Sequence, residues 1–249
     1  MVKKVVVAAA GQGTRMLHLT NKKSKHLIKV QDKPFLSYVL DNLLKAGYKE
    51  IVLVVGYKEE LIKDFIEDYK DCLKDKKCKI DIVSQYEILG PKEKEYGTAC
   101  PVKCVRDFVG KENFIFLCGD NLYSVKDLRA INIDDNYNYV AGLEHKHPEK
   151  YGVLITDDGF LKEIKEKPKE FYGNLINAGM YKFTPDVFEK ISQIKKSSRG
   201  EYEITDAVSL LAKDKKVKVI KIEDYWLDFG NPADIMRLSK FIKSSKNFK

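Results

Sequence analysis

Arginine is scarce in this 249-residue chain: it stands only at positions 15, 106, 129, 199 and 237, among 45 basic residues. Lysine therefore supplies nearly all of the charge behind a formal net charge of +8. A nucleic-acid groove would show clustered arginine interleaved with aromatics. Here lysines alternate with carboxylates, as in Lys58-Glu59-Glu60 and Lys92-Glu93-Lys94-Glu95. That is the pattern of a solvated surface, so no nucleic-acid partner is expected. Long hydrophobic runs are also missing. The longest, Val5 to Ala10, is far too short to cross a bilayer. No cleavage site follows it after Met1-Val2-Lys3-Lys4, so a cytoplasmic protein with no membrane partner is expected. The five cysteines (72, 78, 100, 104 and 118) contain no C-x-x-C pair, which favours buried free thiols over disulfides or zinc. Cys100 and Cys104 are expected to share one helix face. With 44% hydrophobic residues the chain has ample material for a core, and disorder is excluded.

The most informative stretch is Val5-Val6-Val7-Ala8-Ala9-Ala10-Gly11-Gln12-Gly13-Thr14-Arg15, with Lys25 ten residues on. A β-branched run feeds directly into a glycine turn, where the backbone can approach an anion and turn N–H groups toward it. Arg15 can grip phosphate oxygens with its planar fork, and Lys25 can add a compact point charge. A dinucleotide-binding fingerprint fits poorly. Met16 stands where the third glycine belongs, and Gly56 rather than an acidic residue follows the second strand. Taken alone, Gly11-x-Gly13 is also compatible with a plain tight turn.

Strand-like and helix-like segments alternate through the first half. Residues 2–9, 51–55, 80–85 and 114–117 are predicted strands, and 34–46, 59–69 and 98–108 predicted helices. Strands separated by helices of this length imply right-handed βαβ crossovers and a mainly parallel sheet. Ligands of such sheets bind at the carboxyl ends of the strands, where Gly11, Gln85 and Asp120 all fall. In the second half, short strands at 139–143, 153–156, 160–165 and 176–183 suggest antiparallel additions. Helices at 185–191 and 203–213, a strand at 217–222 and a closing helix at 232–242 complete the chain. There is no internal repeat and no flexible linker. A long polar insertion, residues 87–96, is predicted to form a mobile flap.

Further motifs join the first. They are Lys25-x-Leu27-x-x-Val30-x-x-Lys33-Pro34, Tyr96-Gly97-Thr98-Ala99, Gly119-Asp120-Asn121, Glu166-Lys167-Pro168, Asn177-Ala178-Gly179, Glu203-Ile204-Thr205-Asp206 and Trp226-Leu227-Asp228-x-Gly230-x-Pro232. In this order, across essentially the whole chain, they resemble the signature of the sugar-1-phosphate nucleotidylyltransferases. The pattern is most similar to the thymidylyl- and uridylyltransferases of glucose 1-phosphate. The resemblance implies one α/β domain over residues 1–249 with a Rossmann-like mixed, mainly parallel sheet. Its nucleotide-binding half would span about 1–122 and its sugar-binding half about 123–249. The length leaves no room for the carboxy-terminal β-helix of longer relatives, so no acetyltransferase activity is expected.

The same resemblance implies roles. Arg15 and Lys25 would be catalytic, holding the triphosphate; removing either is expected to cost about 3–4 kcal/mol of barrier. Ala9, Ala10, Gly11, Gly13, Thr14, Gln85, Gly97 and Thr98 would bind the nucleotide, with Gln85 and Gly97 reading the base. A glutamine amide offers one donor and one acceptor, which suits uracil or thymine. The thymine methyl is worth only about 1–3 kcal/mol in a pocket, so UTP and dTTP can both serve. Asp120 and Asp228 would bind Mg²⁺ together; for a lone strand-end aspartate, a cap or turn role is the alternative. Gly152, Glu166, Lys167, Asn177 and Arg199 would hold the sugar and its phosphate. The partners are thus a nucleoside triphosphate and a sugar 1-phosphate, and relatives of this size are often homo-oligomers. Guanylyl transfer to mannose 1-phosphate, cytidylyl transfer, and a catalytically inactive regulatory subunit are the competing readings. His18 and Lys29 replace family prolines, and His145-x-His147 is expected in a solvent loop.

Overall fold

A computed structural model describes residues 1–71, 73, 78–92, 94–245 and 248. In chain order the first elements are β1 (Lys4–Ala9), β2 (Lys29–Val30), β3 (Lys33–Pro34), α1 (Phe35–Ala46), β4 (Glu50–Val55), α2 (Glu59–Asp71) and β5 (Lys79–Ser84). Next come α3 (Gln85–Leu89), α4 (Cys100–Lys103), α5 (Arg106–Val109), β6 (Phe114–Cys118), β7 (Asn121–Tyr123) and α6 (Val125–Ala130). The second half holds β8 (Asn138–Glu144), β9 (Gly152–Asp157), β10 (Phe160–Glu166), β11 (Leu175–Phe183) and α7 (Asp186–Gln193). It closes with α8 (Ile204–Lys213), β12 (Val217–Lys221), β13 (Trp226–Asp228) and α9 (Pro232–Ser244).

One nine-stranded sheet organises the fold, in the order β5-β4-β1-β6-β11-β8-β12-β10-β9. β1 lies between β4 and β6, parallel to both, so Val5 stands opposite Ile51 and Ile115. Both faces of this strand are covered. Val5, Val7 and Ala9 pack into one core with Phe35, Leu36 and Leu40 of α1. Val6 packs into the other with Val102, Val105 and Leu211. A strand buried on both sides has no polar face, which is why its sequence is an unbroken apolar run. The sheet is mixed: β5, β4, β1 and β6 are parallel, the direction reverses at β11, and the later pairings are antiparallel except β8–β12.

Three local expectations change. The helix expected over 98–108 forms as two short pieces, α4 and α5. Between them the turn tightens, with Val105 N–H bonding Val102 O three residues back, and so both Val105 and Val109 reach the core. The strand expected over 80–85 ends at Ser84, whose hydroxyl accepts from Glu87 N–H and caps α3. Gln85 is therefore the first residue of a helix. The insertion 87–96 begins inside that helix, and its Glu93 lies outside the described residues. Cys72 also lies outside them. Among the described residues Cys100, Cys104 and Cys118 are free thiols, with Cys100 and Cys104 buried. No helix among the described residues is long and apolar enough to cross a membrane.

A small ladder beyond the main sheet has no counterpart among the predicted strands. β13 pairs antiparallel with β7, setting Asp228 opposite Asn121. Phe229 N–H continues the link to Asp120 O at 2.8 Å, and the Phe229 ring stacks on Phe35 of α1 with centroids 4.3 Å apart. Both rings are fully buried, and burying each is worth about 1.5–3 kcal/mol. That packing fixes where Asp228 stands.

Candidate active site

Beyond the carboxyl end of β1 the chain turns through Ala10–Gly13 into 3₁₀ structure over Thr14–Thr20, kinked at Leu17, and again over Lys25–Leu27. Gly13 has φ +65°, and a Cβ there would stand 2.9 Å from Lys25 Cβ. Glycine is thus required twice over, by backbone conformation and by the lysine packed against it. The Lys25 side chain is nearly buried, and its Nζ meets Asp120 Oδ2 at 2.5 Å. Arg15 is exposed and reaches toward the second aspartate. A Cβ on Gly230 would lie 3.3 Å from both Asp228 carboxylate oxygens and 3.4 Å from an Arg15 terminal nitrogen.

The two aspartates differ electrostatically. Burial disfavours the charged form of Asp120, but the Lys25 ammonium outweighs it by charge and hydrogen bond, holding the carboxyl below its usual range. Burial, Asp120 and Asp234 push Asp228 up to about 6, against the pull of Arg15 and Lys25. The pair therefore converges closely enough to repel. Two carboxylates supply hard oxygen donors, too few for a closed all-protein cage, and suit a divalent cation whose shell is completed by substrate phosphates. Among the described residues no third His, Cys, Asp or Glu joins them in a metal-holding group.

Gln85 is buried, and its Oε1 has no hydrogen-bond partner among the described residues. A buried acceptor left unpaired is costly. Gly97 has φ +134°, and a Cβ there would collide with Tyr202 O at 2.2 Å. The backbone beside the cavity is thus fixed by close approach of the segment leading into α8. The Thr98 hydroxyl accepts from Ile204 N–H at 2.9 Å and donates to Glu203 Oε2 at 3.2 Å. It holds the start of α8 while the residue lines the cavity.

On the other side, β9 and β10 pair Gly152 with Glu166, and a Cβ on Gly152 would stand 3.0 Å from Glu166 Oε2. Lys167 follows with φ +43°, a left-handed corner that costs a non-glycine residue about 1 kcal/mol. Its N–H bonds Tyr151 O at 3.0 Å, while its ammonium is only loosely matched to Glu166 at 3.9 Å. Asn177 sits at the β11 bulge, donating to Tyr181 Oη at 2.6 Å and accepting from Gly179 N–H at 3.0 Å. Arg199 is held by Glu203 Oε1 at 2.7 Å.

One cavity of about 440 Å³ gathers much of this set. Its lining includes Ala10, Gly11, Gly13, Thr14, Arg15, Lys25, Gln85, Gly97, Thr98, Asp120, Lys167 and Arg199. Ala9, Gly152, Glu166, Asn177 and Asp228 lie outside that lining; Ala9 is fully buried within the sheet. Tyr96, Glu201 and His26 also line it, and nothing in the sequence reading gives them a site role. Burial and Lys25 push His26 down to about 3, so its imidazole is neutral. Glu203 ties Arg199 to Thr98, a task that its place in the Glu203–Asp206 motif does not by itself reveal. His145 and His147 do lie in a loop, where His147 is exposed, while the half-buried His145 ring packs on Tyr151 at 5.0 Å, with Trp226 at 6.5 Å.

The family model described as nucleotidyl transferase matches residues 4–245. The chain belongs to the nucleotidyl transferase family. It is 36% identical over 97% of its length to the bifunctional protein GlmU of Methanocaldococcus jannaschii, spanning 55% of that protein. It is 35% identical to the UTP–glucose-1-phosphate uridylyltransferase AglF of Haloferax volcanii, covering 92% of each chain. Thus it spans about half the length of some curated relatives and nearly all of others. A crystal structure of UDP-glucose pyrophosphorylase complexed with UDP-glucose superposes with a TM-score of 0.83 at 26% identity, over 98% of this chain and 100% of that one. Nucleotidyl transferases generally use a divalent metal ion.

Proposed function

We propose that this nucleotidyl transferase joins the nucleotidyl group of a nucleoside triphosphate to a sugar 1-phosphate, forming an NDP-sugar and pyrophosphate. The observation that carries this reading is the meeting of two cationic groups on one cavity. The glycine loop with Arg15 and Lys25 forms one, and Lys167 with Arg199 the other. Residues of about 1–122 would bind the nucleotide and those of about 123–249 the sugar phosphate. An oxygen of the sugar phosphate attacks the α-phosphorus, forming a new P–O bond, and the bond from α-phosphorus to the bridging oxygen breaks to release pyrophosphate. The attacking phosphate is largely ionised near pH 7, so no general base is required. Catalysis is then positioning and neutralisation of charge. Arg15 and Lys25 hold the triphosphate, Lys167 and Arg199 bring up the second anion, and Glu166 and Asn177 orient the sugar hydroxyls. Mg²⁺ held by Asp120 and Asp228 would supply further neutralisation of phosphate oxygens.

The buried Gln85, whose amide offers a donor and an acceptor and whose Oε1 is unpartnered among the described residues, supports UTP or dTTP. The uridylyltransferase relative and the UDP-glucose-bound neighbour support glucose 1-phosphate as acceptor. The test is pyrophosphate release across five nucleoside triphosphates and several sugar 1-phosphates, with and without Mg²⁺. The strongest turnover is expected for UTP or dTTP with glucose 1-phosphate. A maximum with GTP and mannose 1-phosphate, or with CTP, would replace the substrate assignment, and silence in every combination would overturn the enzyme reading in favour of a regulatory subunit.

A further inference from the structure

Residues 86–96 separate Gln85 from Gly97, and the proposed reaction gives them no task. Their middle returns to the phosphate loop. Lys92 Nζ donates to Gln12 Oε1 at 3.1 Å, and the same ammonium stands 4.7 Å from the centroid of the Tyr96 ring. Gln12 is the residue between Gly11 and Gly13, and Tyr96 lines the cavity beside Gly97. One lysine thus bridges the tip of the polyphosphate loop and the wall next to the base-reading residues.

Both of these partners are neutral. Among the described residues Lys92 makes no ion pair, whereas nearby Lys103 meets Glu95 at 2.5 Å and Lys63 meets Glu59 at 2.9 Å. An ammonium gains less from an amide oxygen or a ring face than from a charged phosphate oxygen. Its flexible stem lets the head exchange partners without moving the backbone. The other cations of the loop already face carboxylates: Lys25 is paired with Asp120, and Arg15 stands beside Asp228. A triphosphate entering this cavity would bring more negative charge than those two can offset. We infer that Lys92 is a third cation of the triphosphate site, leaving Gln12 on binding to take oxygens of the terminal phosphates. The inference rests on the reading that the cavity takes a nucleoside triphosphate.

The experiment is calorimetric titration of the full chain, with Mg²⁺ present, using tripolyphosphate, UTP and UMP as probes. Tripolyphosphate needs no base, so it reports the phosphate site whatever nucleotide the enzyme prefers. Lys92→Gln is expected to weaken tripolyphosphate and UTP about tenfold, the size of a lost charge-assisted hydrogen bond. UMP should change less than about twofold, because a monophosphate does not reach the added cation. Lys92→Arg should restore most of the loss, and the KM for UTP should rise in Lys92→Gln while that for sugar 1-phosphate holds. Equal tripolyphosphate affinity in wild type and Lys92→Gln would overturn the inference. So would a parallel loss of UMP, which would mean a deformed loop or base site. A wild-type chain that binds neither tripolyphosphate nor any nucleoside triphosphate removes the nucleotidyl reading as well, whereas intact wild-type binding with an unaffected variant removes only the role of Lys92.

Discussion

In the half built on β5, β4, β1 and β6, the chemistry-bearing residues lie just past the carboxyl ends of parallel strands. In the half built on β8 to β12 they lie within antiparallel strands, at a bulge, on a left-handed corner or, for Arg199, in the turn before α8. The first arrangement gathers loops at one edge simply because all four strands point the same way. The second has no such edge and depends on exact register: Gly152 against Glu166, Asn177 at its bulge, Lys167 turned by its own backbone. The half proposed for the nucleotide therefore builds its end of the cavity by direction, and the half proposed for the sugar builds its end by pairing.

The largest effect should break the nucleotide half. Lys25→Met is expected to lower turnover by about 10²–10³-fold, read as pyrophosphate release, and to lower the melting temperature of the metal-free protein. Because Asp120 is then left near the cavity without its ammonium, added divalent metal should restore stability but not turnover.

Asp228 tests the ladder that joins the halves. Its folded-state pKa, about 6, lies above the ordinary 3.8. The native state thus holds the extra proton between those values, and stability falls as pH rises through that window, with the full deficit present above about pH 6. In metal-free protein at pH 8, Asp228→Asn should therefore stabilise by on the order of 1–3 kcal/mol while abolishing turnover. Thermal melts with chelator at pH 5 and pH 8 check it: the gain should shrink at the lower pH, and an equal gain at both would assign it to packing.

Lys167 sharpens the contrast from the sugar side. Lys167→Gly should raise the KM for sugar 1-phosphate by about tenfold and leave that for the nucleotide nearly unchanged. Stability should rise by about 1 kcal/mol as the positive φ is relieved. A matching rise in nucleotide KM would show that the two anion sites are not separate.

The smallest effect is expected at Thr98. Thr98→Val removes the acceptor of Ile204 N–H and should cost about 1 kcal/mol of stability, with nucleotide KM within about twofold. Thr98→Ser should behave as wild type in chemical denaturation.

Much of the nucleotide half is legible in the order of its residues alone. A buried parallel strand must be apolar on both faces, so β1, β4 and β6 stand out as short runs, and the residues after them are marked by glycine and charge. Gln85 does fall at the end of β5 as its sequence context suggests, but as the first residue of a helix, because Ser84 decides that by capping. The sugar half is legible chiefly through its likeness to a family. Nothing local in Lys167 announces a left-handed corner, and nothing in Trp226-Leu227-Asp228 announces a strand that pairs with Asn121-Leu122-Tyr123. The helix expected over 98–108 does not form as one piece because its apolar spacing serves two short helices as well as one long one.

By itself the sequence determined the alternation of elements, the glycine loop at Gly11–Arg15 and the cations available to it, since periodicity, glycine and charge are local properties. Only the tertiary structure decided which charges meet. Lys25 finds Asp120 across 95 positions of chain, Asp228 is carried to the same place by the β7–β13 ladder and the Phe35–Phe229 stack, and Lys92 comes to rest on Gln12. Such meetings depend on packing between distant segments, and on the free energy of burying them together, which no single stretch of residues contains.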